Sequence, residues 1–248
     1  MTPPSLRSAI VHVTFGTFEF TQSLDRLARS ARDFGVCDIR IYRPDSPAVK
    51  RAIAENPTIM RQRRGAGYWL WKPYIILDVL EQVPDGTIVL YSDAGASYIS
   101  DPVPLLSLAQ TRDIVLFDNR LPSWTQRMWT KRDCFVLLDA DSPAHWDRRQ
   151  LDAAFQLYRA GPKARAFVAE LKETCKEPRA LTDLPNTCCL PNFAEFREHR
   201  HDQSVLTICA VQHGIETFRT PKTPPEQDDL RSPYAQIFEH HRGRNIET

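Results

Sequence analysis

Apolar and polar positions change their period several times along the chain, and each change marks an element. Ala9-Ile10-Val11-His12-Val13-Thr14-Phe15 is a β-rich run closed by Gly16. Leu24, Leu27, Ala28, Ala31 and Phe34 then recur at helical spacing, with Gly35 where a helix stops. Val36 to Tyr42 returns to a strand, with Val36, Ile39 and Ile41 apolar. This β-α-β start predicts a layered α/β fold with a parallel sheet. Behind Pro73, whose missing N–H costs nothing in a first helical turn, Ile75, Ile76, Val79, Leu80 and Val83 form one stripe. Thr87-Ile-Val-Leu-Tyr91 is a near-continuous run of β-formers, the pattern of a strand buried on both faces, and it ends in Ser92-Asp93-Ala94-Gly95. Residues 113–117 predict another strand, and 134–138 a strand or a helix start. Helices are expected over 146–159 and 163–175, parted by Gly161-Pro162, and over 203–213, closed by Gly214. A polar, Pro-rich connector from Thr220 leads to the tail. No internal repeat is present, so a single domain, 1–248, with an irregular second half is expected.

Bulk properties narrow the classes. A chain of 248 residues can bury one large core. The net charge of +1, with the two signs interspersed, announces no polyanion-binding surface, so nucleic acid is not an expected partner. No run of eighteen apolar residues exists, so no transmembrane segment is expected. The N-terminal stretch passes straight into strand-like sequence without the apolar block of a signal peptide. The six Cys, at 37, 134, 175, 188, 189 and 209, form no C-x-x-C pair and read as reduced thiols of a cytoplasmic protein.

Ligands of open α/β sheets gather at the carboxyl ends of the strands. Thr14-Phe15-Gly16 ends the first strand there, and Asp93 ends the central one. An acid directly after a buried strand can hold a hard cation such as Mg²⁺ or Mn²⁺, or it can cap a turn through the backbone of Gly95. In Gly65-Ala-Gly67-Tyr68-Trp69-Leu-Trp71-Lys72-Pro73, rings that would suit a core would equally suit the walls of a ligand site. Pro73 fixes a helix start, so Trp69 is expected mostly in the core and Tyr68, Trp71 and Lys72 at the site's border. The densest polar cluster is His199-Arg200-His201-Asp202-Gln203-Ser204. Asp202 could be the N-cap of the helix that follows, or its carboxylate and the Gln203 amide could face a sugar. The end, His240-His241-Arg242-Gly243-Arg244, is either solvated or docked through Tyr234, Ile237 and Phe238. Docked, its imidazoles and guanidiniums would suit a diphosphate and its metal.

In this order, the motifs resemble those of GT-A-type nucleotide-sugar glycosyltransferases, nearest to bacterial enzymes of capsule, lipopolysaccharide and exopolysaccharide assembly. The segments that carry the resemblance are Gly65 to Pro73, Tyr91-Ser-Asp93-Ala-Gly95 and His199 to Ser204. The resemblance implies a GT-A-like α/β fold with a Rossmann-type, mostly parallel central sheet flanked by helices. It divides the chain into a nucleotide-binding half (1–119), a donor-sugar and acceptor half (120–219) and a linker with docked tail (220–248). It implies a nucleotide-sugar donor, a glycan or glycolipid acceptor with peripheral contact where that acceptor is membrane-bound, and, from the H-D-Q similarity, retention of configuration. Asp202 and Gln203 take the catalytic roles. Thr14, Phe15, Gly16, Tyr68, Trp71, Lys72, Asp93, His201 and Arg242 are assigned to the nucleotide sugar. Asp93, His240 and His241 are assigned to a Mg²⁺ or Mn²⁺ ion. Gly95 stands where the D-x-D motif of such enzymes has its second acid. A sugar nucleotidyltransferase, which would want a basic phosphate loop after the first strand, and a non-catalytic carbohydrate-binding protein are the rival readings.

Overall fold

The structure, a computed structural model, describes residues 10–118, 124–227 and 232–241. Its strands are β1 (Ile10–Phe15), β2 (Asp38–Tyr42), β3 (Ile88–Ser92), β4 (Ala96–Tyr98), β5 (Ile114–Asp118), β6 (Leu151–Arg159), β7 (Thr217–Arg219) and β8 (Phe238–His240). Six of them form a central sheet in the order β2-β1-β3-β6-β5-β7. β1 pairs parallel with β2 and β3, and β5 with β7, while β6 runs antiparallel between β3 and β5. The sheet is therefore mostly parallel, with one reversed strand at its middle.

Both faces of the sheet are covered, which is why its strands read as continuous apolar runs. Val11, Val13, Phe15, Val89 and Tyr91 point into one core, with the helices Trp71–Gln82, Pro162–Cys175 and Asp202–Gln212. Ile10, Ile88 and Leu90 alternate to the opposite face, against the helix Thr21–Asp33 and the tail. The tail is docked: β8 pairs antiparallel with β4, and Phe238 is buried against Tyr98 and Phe155.

The second half departs from expectation in one large element. Instead of a helix over 146–159 there is a short turn, Pro143–Trp146, and then the nine-residue strand β6. Leu151, Ala153, Ala154, Phe155, Leu157 and Tyr158 are buried whichever face they point to, so their spacing shows no single period. The stretch 134–138, open between strand and helix, falls in the helix Arg132–Leu137. Of the thiols, Cys134, Cys175 and Cys209 are packed inside, whereas Cys37 and Cys189 are exposed.

The chain before the helix Trp71–Gln82 has an unusual conformation. Gly65, Ala66, Gly67, Tyr68 and Trp69 all have positive φ, so five successive residues form a left-handed turn. Glycine is required at its bends: a Cβ on Gly65 would lie 2.3 Å from the Trp69 ring, and one on Gly67 would lie 2.7 Å from the Met60 sulfur. Left-handed conformation costs roughly 1–2 kcal/mol at each non-glycine residue. Such strain persists only where the surroundings over-determine it, and that happens most often at ligand sites.

Candidate functional site

The carboxyl ends of β1 and β3 and the amino end of the reversed β6 meet at one edge of the sheet. They floor a cleft of about 550 Å³, within the range of small-molecule sites. Phe15 and Gly16 come from β1, Asp93 to Gly95 from β3, and Asp152 to Ala154 from β6. The left-handed turn drops Trp69, Trp71 and Lys72 into the cleft from one side. The 200–203 segment and the tail's His240 and His241 close the others.

At the centre stands Lys72, buried, with its ammonium donating to Asp202 Oδ2 at 2.6 Å and to the Ala153 carbonyl at 3.1 Å. Asp93 Oδ1 lies 3.7 Å from the same nitrogen and accepts the Tyr91 hydroxyl at 2.6 Å. Burial works to lower the Lys72 pKa, but the Asp202 and Asp93 carboxylates overcome it and hold the ammonium above its ordinary value. Burial pushes Asp202 up to about 6, with the neighbouring Lys72 pulling the other way. A second pair lies beside this one. Lys222 Nζ donates to Asp152 Oδ2 at 2.7 Å, and the Thr220 hydroxyl donates to the same oxygen. Burial would raise the Asp152 carboxyl, yet Lys222 and Thr220 bring it below its usual range.

The helix Asp202–Gln212 begins at Asp202, with His201 in the N-cap place at φ 54°. Asp202 is thus not the cap; its carboxylate turns to Lys72 instead. Gln203 Oε1 accepts the Ala153 N–H at 3.4 Å, which ties the helix start to β6. The His201 ring packs against both Tyr68 and Trp69, and its Nδ1 meets the Leu181 carbonyl at 2.9 Å. Burial lowers the His201 pKa, so the ring is neutral at pH 7. On the opposite wall Phe15 stacks on Trp71, ring centroids 3.9 Å apart, and the Trp71 indole N–H donates to the Gly65 carbonyl at 2.9 Å. The strained turn is therefore held by hydrogen bonding as well as by packing.

Phe15, Gly16, Trp71, Lys72, Asp93, His201, Asp202, Gln203, His240 and His241 all line the cleft. Two expected members do not. Thr14 is fully buried, because alternation along β1 turns it away from the strand end. Tyr68 lies behind His201, and Trp69, expected in the core, lines the cleft in its place; the left-handed turn reverses the two rings. Arg242 lies outside the described residues.

Sequence reading missed Asp152, hidden in the strand taken for a helix, and Lys222, one basic residue in a connector with no period. It also left out Trp124, which lines the cleft and stacks on Trp129 with centroids 4.7 Å apart. The Arg200 guanidinium lies over both of these indoles.

The expected metal set does not assemble. Among the described residues no group of three or more His, Cys, Asp or Glu side chains is placed to hold a metal ion. Asp93 faces Lys72 and Tyr91, and Asp152 faces Lys222. Burial lowers the His240 pKa, while the Asp93 and Asp152 carboxylates pull it the other way.

No family model matches the chain, and no curated protein matches it in sequence. Solved structures do. The bifunctional glycosyltransferase WbbM, in its apo structure, aligns over 90% of this chain and 41% of its own, at a TM-score of 0.51 and 14% identity. This chain thus spans less than half the length of that protein. Mouse xyloside xylosyltransferase 1 aligns over 85% of this chain and 84% of its own, at a TM-score of 0.48 and 11% identity. The galactosyltransferase LgtC, in complex with donor and acceptor sugar analogs, aligns over 94% and 87%, at a TM-score of 0.48 and 14% identity. Identities this low speak to fold alone. The chain shares its α/β fold, a mostly parallel sheet with helices on both faces, with the WbbM structure.

Proposed function

We propose that the protein is a glycosyltransferase that moves a sugar from a nucleotide-sugar donor to a glycan or glycolipid acceptor. The observation that carries this reading is the meeting of Lys72, Asp93 and Asp202 on the floor of a cleft walled by Phe15, Trp71 and Trp69. Three distant segments converge there, and two of them are not needed to build the sheet. Fold likeness alone does not imply function; the chemistry of this cleft does the distinguishing.

Glycosyl transfer develops positive charge at the anomeric carbon while a nucleoside diphosphate departs with negative charge. The cleft offers a matching division. The Phe15–Trp71 stack at the β1 end suits a nucleobase face. Asp202, kept in place by Lys72, is the carboxylate that would face the sugar carbon, and Gln203 beside it would bind sugar hydroxyls. Trp124 and Arg200, which pack on each other in the cleft wall, would receive the acceptor. Retention of configuration and a role in surface polysaccharide assembly, inside the cell, complete the reading. No described helix is long and apolar enough to cross a membrane, so a lipid-linked acceptor would be met at the membrane surface.

The test is hydrolysis and transfer with a panel of nucleotide sugars differing in base and sugar. Release of nucleoside diphosphate from at least one donor is expected. A folded protein that neither binds nor turns over any of them would return the site to a non-catalytic role.

A further inference from the structure

The cleft combines three aspartates with two lysines, and the way they pair bears on how a diphosphate is held. Resting on the donor-site reading above, we infer that this protein holds the donor's diphosphate without a divalent cation, and that Lys222 is the group that faces it.

Position 95 is the first ground. A Cβ built on Gly95 would lie 2.0 Å from the carbonyl oxygen of His241, whose N–H donates to the Gly95 carbonyl at 3.0 Å. The docked tail occupies the space that a second acid after Asp93 would need. An acid at 95 and a docked tail exclude each other, and this chain has the tail.

The second ground is that each of the three aspartates at the strand ends and helix start already faces an ammonium. Asp202 meets Lys72 at 2.6 Å, Asp93 meets it at 3.7 Å, and Asp152 meets Lys222 at 2.7 Å. Mg²⁺ and Mn²⁺ want a near-octahedral shell of oxygens, with carboxylates among them. A dication at Asp93 would sit beside the fixed charge of Lys72, which cannot leave without stranding Asp202. Lys72 thus already supplies the positive charge beside Asp93.

Lys72 is buried, and Asp202 and the Ala153 carbonyl take two of its three donors while Asp93 lies 3.7 Å from the same nitrogen, so it is committed to protein groups. Lys222 differs. Its side chain is 27% exposed on the cleft, and Asp152 Oδ2 accepts from only one of the three donors a lysine carries. A lysine ammonium is a good point-charge partner for phosphate oxygens. Asp152, in turn, keeps Lys222 aimed across the strand ends.

The experiment is isothermal titration of the full chain with UDP, GDP, ADP and dTDP, in EDTA and then in MnCl₂ or MgCl₂. One of the four is expected to bind with the same Kd, within twofold, in EDTA and in either metal, and MnCl₂ alone is expected to give no binding heat. Lys222→Gln should weaken that nucleoside diphosphate at least tenfold while leaving the parent nucleoside within twofold. Lys222→Arg should restore most of the loss, which a merely misfolded variant would not show. A Kd that tightens tenfold or more with Mn²⁺, with the gain lost in Asp93→Asn, overturns the inference and leaves the donor site standing. Unchanged diphosphate binding by Lys222→Gln overturns the assignment of Lys222. Failure of all four diphosphates to bind under any condition overturns the donor reading itself, and this inference with it.

Discussion

The two lysines of the cleft meet carboxylates at nearly the same distance, yet they are held in opposite ways. Lys72 has a side chain only 4% exposed, bonds one carboxylate and one carbonyl, and lies near a second carboxylate. Lys222 is 27% exposed, lines the cleft and meets the Asp152 carboxylate. A buried charge committed to protein groups organises the site around it and offers little to a ligand. A half-open charge with one partner contributes less to the fold and more to binding. The comparison separates the part of the site that builds the fold from the part that waits for substrate.

Removal of each lysine tests the difference. Lys72→Met strands Asp202 inside the protein and removes a cation from the half-buried Asp93, and loss of one member of a buried pair costs about 3–5 kcal/mol. Lys222→Gln should cost about 1 kcal/mol, since its ammonium is partly hydrated and Thr220 still donates to Asp152. Denaturant unfolding of both variants checks this. Addition of Asp202→Asn to Lys72→Met should recover stability, because the double variant removes the stranded charge. Equal losses for the two lysines would erase the distinction drawn here.

The pH dependence of turnover sharpens the same contrast. The form of Asp202 able to face developing positive charge is the carboxylate, and burial pushes its pKa up to about 6. Acidification through that value protonates it, so kcat/KM should fall about tenfold per pH unit below 6 and level off above. Asp152 is shifted the other way, below the usual carboxylate range, and so stays ionised through this window. An acid limb lying entirely below pH 4 would mean that Asp202 does not control the rate.

The sequence disclosed the elements that have one period and concealed those that have none. β1, the helix behind Pro73 and β3 with its terminal Asp93 were legible because each presents a run or a stripe that only one element satisfies. β6 was not: a central strand flanked on both faces is apolar at odd and even positions alike, and Leu151 to Tyr158 therefore passes for a helix face. That misreading also hid Asp152. Lys72 and Asp202 were each visible as candidates, but their contact spans 130 residues of chain and follows from tertiary folding alone. The left-handed turn was foreshadowed by Gly65 and Gly67, yet nothing in the string of letters shows Ala66, Tyr68 and Trp69 sharing it. That is why Trp69, not Tyr68, reached the cleft.

The central claim is that Asp202 faces the reacting sugar and does more than hold the helix start. It is tested most directly by the turnover and binding of the active nucleotide sugar in Asp202→Asn. Asn keeps the shape and a hydrogen-bond acceptor for Lys72 but loses the charge. The account predicts a loss of a hundredfold or more in kcat, the scale on which electrostatic groups act at transition states, with donor Kd changed by less than threefold. A folded Asp202→Asn protein that turns over the donor at close to the wild-type rate would contradict it.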